Sequence, residues 1–233
     1  MVVNGSGETD WPQVRALARR FPQVRASFGC HPWYVHELSR DWQAILVRCL
    51  DETSGAVVGE AGLDRWKPGL SYEGQEEVLV WQLRLAAERG LAISLHCLHA
   101  WGRLYDLLRA GPRPERGFLL HSYGGPREMV APLASLGAYF SFPGAFAHER
   151  KTRQRDAFRS VPSDRLLLET DAPDQMPPER LVTHPLSEAG GATPINHPAN
   201  LAAIYRFAAQ LYDEPLDQLA ARVEANFLRL FGP

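Results

Sequence analysis

Val57-Val58-Gly59-Glu60-Ala61-Gly62-Leu63-Asp64-Arg65 is a short apolar run that delivers one carboxylate and then passes into glycine-punctuated chain. A run of this length, bounded by turn residues, reads as a strand buried on both faces, as in a parallel sheet. Three later stretches repeat the design. Ile93-Ser94-Leu95-His96, Phe118-Leu119-Leu120-His121 and Leu166-Leu167-Leu168-Glu169-Thr170-Asp171 each carry an apolar run to a residue that can hold a metal.

The sequence between these strands reads as helix. Residues 75–89 place Val78, Leu79, Leu83, Leu85 and Ala86 on an apolar stripe and stop at Gly90, a favoured helix terminator. Helices are likewise predicted over 101–110, 127–136 and 148–160, with a further strand over 138–142 and two closing helices over 198–212 and 215–231. Upstream, Val14, Leu17, Ala18 and Phe21 have helical spacing behind Pro12, and residues 24–28 form a strand entering the loop Gly29-Cys30-His31-Pro32-Trp33. A helix over 41–50 then leads back to the opening strand, predicted to end at Glu60. The proline- and glycine-rich stretch 174–196 is predicted to be a long functional loop.

Strands alternating with helices imply right-handed units on a parallel sheet. The expected fold is a TIM-like (β/α)8 barrel, whose catalytic residues gather at the C-terminal strand ends; an open doubly wound sheet is the alternative. Seven strands can be counted, the first reduced to Met1-Val2-Val3-Asn4.

At 233 residues and 45% hydrophobic content the chain is expected to form a single domain, 1–233. A formal charge of −2 excludes a strongly basic nucleic-acid cradle over the molecule as a whole. Cys30, Cys49 and Cys97 show no CxxC spacing and are odd in number, which argues against a disulfide framework and suits a reducing cytoplasm. There is no signal-peptide pattern and no run of ~18 apolar residues, so neither secretion nor a membrane is expected.

Each candidate alone has an ordinary explanation. Glu60 can pair with Arg65, a histidine after an apolar run can be a hydrogen-bonded core residue, and Asp171 can cap a helix. Glu60, His96, His121 and Asp171 recurring in step with the strand repeat point instead to one pocket. Imidazole and carboxylate suit divalent ions such as Zn, Mn, Mg, Fe or Ni. Such an ion makes water acidic enough to attack a phosphorus or carbonyl centre, with Asp171 and Glu60 as the catalytic carboxylates. His31 and Arg65 are candidate substrate contacts from their loops, with Lys67 as a further cation and His99 at the pocket mouth.

Gly29-Cys30-His31-Pro32, Gly59-Glu60-Ala61-Gly62-Leu63-Asp64, His96, His121, Glu169-Thr170-Asp171-Ala172-Pro173 and the closing Asn226-Phe227-Leu228-Arg229-Leu230-Phe231 come in the order and spacing of TatD-family metal-dependent hydrolases. The chain resembles that family along essentially its whole length. The resemblance implies a barrel of the amidohydrolase type with deoxyribonuclease activity, and hence DNA or a small phosphodiester as partner. It also implies that Glu60 bridges two metals, that His96 and His121 complete one site, and that Asp171 serves the other.

Two departures refine this. Family members begin with a strand carrying an HxH pair, whereas Met1-Val2-Val3-Asn4 matches the second strand. One tightly held ion per chain is therefore favoured over two, and either the protein's start lies upstream or a partner closes the gap. His96-Cys97-Leu98 and His121-Ser122-Tyr123 stand where family nucleases show His-Cys-Arg and His-Cys-Phe, and without that arginine a phosphate clamp is lost. The alternatives are an amidohydrolase acting on a C–N or ester bond and a non-catalytic remnant that binds a metal or a partner.

Overall fold

The apolar runs become strands and the striped segments become helices in the computed structural model, which describes residues 1–189, 191 and 193–232. The chain forms two compact units. The first comprises Met1–His121 with Leu136–Ala138 and Leu230–Pro233; the second comprises Ser122–Ser135 and Tyr139–Arg229.

In the first unit β1 (Val2–Asn4), α1 (Trp11–Arg20), β2 (Arg25–Phe28), α2 (Trp42–Asp51), β3 (Val57–Asp64), α3 (Tyr72–Arg89), β4 (Ile93–Leu98), α4 (Trp101–Ala110) and β5 (Phe118–Leu120) follow one another. Each strand pairs in parallel with the next. The strands are buried on both faces: Phe28, Val58, Leu63, Ile93, Leu95, Phe118 and Leu120 are inaccessible to solvent. Burying such a side chain stabilises the fold by about 1.5–3 kcal/mol.

Strands β3 and β4 run further than their sequences suggest. Instead of ending at Glu60 and His96, they continue to Asp64 and Leu98, with a register shift between Val58 and Ala61. The reason lies in the glycines, which act here as strand residues rather than loop markers. Gly62 has φ +155, and a Cβ on it would lie 2.0 Å from the His96 carbonyl oxygen, so only glycine lets the two backbones approach this closely. Glu60 is consequently held inside a bulged strand, where its direction is fixed by pairing on both sides of the irregularity.

The second unit holds α5 (Val130–Ser135), β6 (Ala138–Pro143, of which the first residue belongs to the first unit), α6 (Thr152–Phe158), β7 (Leu166–Glu169), α7 (Leu201–Tyr212) and α8 (Leu216–Phe231, which ends in the first unit). Strands β6 and β7 are parallel partners. Its core is aromatic: Phe142 meets Phe146, Phe158 and Phe207 at centroid distances of 5.8, 5.1 and 6.0 Å. The helices predicted over 127–136 and 148–160 each begin as a 3-10 turn, Arg127–Met129 and Glu149–Lys151, before the α-helix starts. Within the predicted loop 174–196, Leu186–Ser187 and Pro194–Ile195 pair as a small antiparallel hairpin, and Gly190 and Ala192 lie outside the described residues.

Strand order follows chain order from β1 to β7. A doubly wound sheet would reverse direction at a switch point. No reversal occurs, so the topology is that of the TIM-like class.

Candidate metal centre

Strand β4 and the chain just beyond β2 and β5 bring imidazoles to one carboxylate oxygen. His121 Nε2 lies 2.7 Å from Glu60 Oε1, His96 Nδ1 lies 3.2 Å from it, and His31 Nε2 lies 3.5 Å from it. His96 Nδ1 and His121 Nε2 are themselves 3.3 Å apart. All three rings are buried.

The backbone beneath Glu60, His31 and His121 is tied down by hydrogen bonds with segments distant in sequence. Glu60 N donates to Gly5 O at 3.0 Å, and Ser27 Oγ donates to Gly59 O at 2.9 Å, which locks the bulge that aims Glu60. His31 N donates to Ser6 O at 2.8 Å, and the preceding Cys30 N donates to Gln82 Oε1 at 2.9 Å. His121 N donates to Leu95 O at 3.1 Å.

Behind His96 stands Asp64. Its Oδ2 lies 3.0 Å from His96 Nε2, accepts Trp33 Nε1–H at 2.6 Å, and belongs to a fully buried side chain. The other oxygen accepts the backbone N–H groups of Trp66 at 2.7 Å and Lys67 at 3.0 Å. Gln75 clasps the Asp64 backbone on both sides, accepting from its N–H at 2.7 Å and donating to its carbonyl at 3.1 Å. A carboxylate behind a histidine fixes its tautomer and ring orientation, the usual support of a metal-binding imidazole.

The charges follow from this packing. Burial pushes the Glu60 carboxyl up, but the charge and hydrogen bonds of His121 and His96 outweigh it and hold the group well below the carboxylate range. Burial likewise opposes ionisation of Asp64, and the hydrogen bonds from His96, Lys67 N–H, Trp33 and Trp66 N–H overcome it, so its pKa is lowered. Burial lowers His31 to about 4 against the pull of Glu60. His96 goes the other way, since Asp64 and Glu60 outweigh its burial.

The donor set fits a divalent cation. Ligand-capable atoms of His31, Glu60 and His96 lie within 4.8 Å of one another, and His121 joins them through its contact with Glu60. Imidazole nitrogens converging on a carboxylate are a set that N/O-preferring divalent metals accept.

Of the other candidates, Arg65 is exposed, with its guanidinium 3.7 Å from the Tyr72 ring centroid. Its charge is thus directed at an aromatic face and not at Glu60. His99 is exposed in the turn before α4, with φ 55. Asp171 belongs to the second unit, where it has φ 57 and its Oδ2 accepts from Gln175 Nε2 at 2.7 Å. The same Gln175 nitrogen donates to Ser122 Oγ at 2.6 Å. Glu169 accepts from Ser122 N and Oγ at 2.7 and 2.6 Å and from Ser141 Oγ at 2.7 Å. Buried Asn196 donates to Thr170 O at 2.8 Å.

Sequence reasoning did not single out Asp64, Gln75, Gln82, Gln175 or Asn196. A signal existed for the two α3 glutamines: they sit seven residues apart on the apolar stripe of a helix, where a buried polar side chain must have a partner.

Comparison with known proteins bears on this arrangement. The sequence matches the family described as TatD related DNase over residues 1–232. It is similar to the 3'-5' ssDNA/RNA exonuclease TatD of Escherichia fergusonii, 32% identical over 237 residues that take in 100% of this chain and 87% of that protein. The protein of the same name from Escherichia coli K12 is 31% identical with the same coverage. Among solved structures, YJJV, a TatD homologue from Escherichia coli K12, matches with a TM-score of 0.85 at 26% identity, covering 100% of this chain and 86% of that one. A TatD-family hydrolase from Entamoeba histolytica shares the fold, with a TM-score of 0.81 at 17% identity over 100% of this chain and 84% of that one.

Proposed function

We propose, from the premise that this chain belongs to the TatD family of metal-dependent hydrolases, that it cleaves phosphodiester bonds of single-stranded nucleic acid. The observation that carries this reading is the convergence of His121, His96 and His31 on Glu60 Oε1, at 2.7, 3.2 and 3.5 Å.

In this reading Glu60, His96, His121 and His31 hold the cation. A divalent ion such as Zn, Mn, Mg, Fe or Ni supplies Lewis acidity and lowers the pKa of water. With its Nε2 proton held toward Asp64, neutral His96 would present the lone pair of Nδ1 to the cation. Glu60, ionised over the whole physiological range, offsets positive charge at the centre. Asp171 accepts a proton from the attacking water or holds a second ion, with Gln175 orienting its carboxylate. One tightly held ion per chain is the expected stoichiometry.

The partner is a strand of DNA or RNA. No described helix is long and apolar enough to cross a membrane. Three buried free cysteines accord with a cytoplasmic location. The test is hydrolysis of a single-stranded oligonucleotide by the metal-loaded chain. Activity abolished by a chelator and restored by a divalent metal is expected. Hydrolysis that survives metal removal, or an oligonucleotide left intact while amides or carboxylic esters are cleaved, would overturn the reading.

A further inference from the structure

The strand that delivers Glu60 and Asp64 runs straight on into Arg65-Trp66-Lys67, and this tripeptide is exposed. Trp66 is 59% exposed, an unusual position for the largest apolar side chain. It is not a stray surface residue. Its ring stacks on Trp33 at a centroid distance of 6.4 Å and an interplanar angle of 26°. Trp33 is pinned through Nε1–H to Asp64 Oδ2, and its ring stands 5.3 Å from His31, which in turn is 4.5 Å from His96. Rings therefore succeed one another without a break from the buried histidine cluster to solvent.

Cations flank this succession. Lys67 Nζ lies 4.4 Å from the Trp33 ring centroid, and the Arg65 guanidinium lies against Tyr72. Both side chains are exposed. Asp64 fixes the geometry from below, because its Oδ1 accepts the Trp66 and Lys67 N–H groups while its Oδ2 faces His96 and Trp33. One buried carboxylate thus aligns the metal-binding imidazole and the exposed aromatic face in a single frame.

We infer that Trp66, backed by Trp33, is a stacking platform for an unpaired base of the nucleic-acid substrate, with Lys67 taking the adjacent phosphate. The inference rests on the nuclease reading above and deepens it to a subsite. An exposed aromatic face with a neighbouring cation is how proteins bind single strands without reading sequence, since every base has a π face. A paired base keeps its own stack, so the platform favours single strands over duplex.

The test uses metal-free protein, so that binding is read without cleavage. Tryptophan fluorescence is followed while a short oligodeoxythymidylate, or an abasic oligonucleotide of equal length and charge, is added. The native protein should bind the base-bearing strand more tightly and show quenching that the abasic strand does not produce. Trp66→Ala should weaken the base-bearing strand about tenfold and leave the abasic strand unchanged, and Trp66→Tyr should restore most of the loss. Lys67→Ala should weaken both strands alike and lower the salt slope by about 1. With metal restored, Trp66→Ala should raise KM for the base-bearing strand more than it lowers kcat. Equal affinity for the two strands, or an unchanged Trp66→Ala, would overturn the platform while cleavage by the metal-loaded protein leaves the nuclease reading standing. A native protein that neither binds nor cleaves the strand overturns both.

Discussion

Two carboxylate-centred regions of this molecule are built from opposite kinds of donor. Around Glu60, in the first unit, the partners are ring nitrogens of His121, His96 and His31. Around Glu169, in the second, they are the Ser122 amide and hydroxyl and the Ser141 hydroxyl, while Asp171 receives the Gln175 amide. An imidazole proton can be exchanged for a cation near neutral pH, whereas hydroxyl and amide protons cannot. The first region is therefore chemically suited to a cation, whereas in the second Glu169 engages hydroxyl and amide donors. Two segments that look alike as strand-end carboxylates differ in what surrounds them, and that surrounding decides their use.

The largest effect is expected at the first region. Glu60→Ala removes the carboxylate on which three buried rings converge, so both metal retention and hydrolysis should be lost. Metal analysis beside an oligonucleotide assay checks this, and a variant that keeps either property would erase the distinction between the regions. Asp171→Asn should instead leave metal retention near one ion per chain and lower hydrolysis about 100-fold or more, the range for a positioned base. Two ions per chain at full occupancy in the native protein, or loss of the ion in Asp171→Asn, would show that the regions share the binding work.

The first region was legible in the sequence, but its contrast with the second was not, because the strand repeat puts Asp171 in one group with Glu60, His96 and His121. Glu60, His96 and His121 announced themselves because apolar strand runs of similar length each ended near a residue able to ligate a metal, and that periodicity is what a parallel sheet imposes. The end of β3 was misjudged because Gly62 reads as a turn residue, when its role is to admit the β4 backbone. His31 read as a substrate contact because its loop follows a strand that carries no second ligand; only the fold brings it within 3.5 Å of Glu60. Asp64 stayed hidden since a carboxylate that supports a ligand has the same letter as one that is solvated. Two of its donors, the Trp66 and Lys67 N–H groups, are close neighbours in the chain, but the other two, Trp33 and His96, arrive from the 29–37 loop and β4, which no local pattern connects.

A smaller effect sharpens the comparison within the first region. Asp64→Asn is nearly isosteric and removes the charge that holds the His96 proton at Nε2. Metal affinity or activity should fall by roughly 10–100-fold, the usual cost of losing such a supporting group. Titration of metal-free protein with a divalent ion measures it directly. Because Trp33 Nε1–H and the Trp66 and Lys67 N–H groups also depend on Asp64, the variant should weaken binding of a base-bearing strand as well. Unchanged affinity for both would mean that the carboxylate is packing alone.

The smallest expected effect concerns stability of the metal-free protein against pH. Burial lowers the folded pKa of His31 to about 4, below an unfolded value of about 6.5. Between those values the unfolded chain binds the extra proton, so this residue's contribution to stability rises with pH through the window and is lost as pH falls from 6.5 toward 4. His96 has the opposite sign: its raised pKa contributes stability that is complete below the unfolded value and fades as pH climbs through the folded one. The lowered carboxyls of Glu60 and Asp64 contribute above their unfolded values and are lost only at more acid pH. The His31 slope can reach about 1.4 kcal/mol per pH unit for one full proton. Denaturant unfolding of metal-stripped protein at about pH 5 and about pH 6.5 should therefore give a higher stability at the upper value, and His31→Gln should flatten the difference. An identical slope in the variant would locate the titration elsewhere and leave His31 a passive member of the cluster.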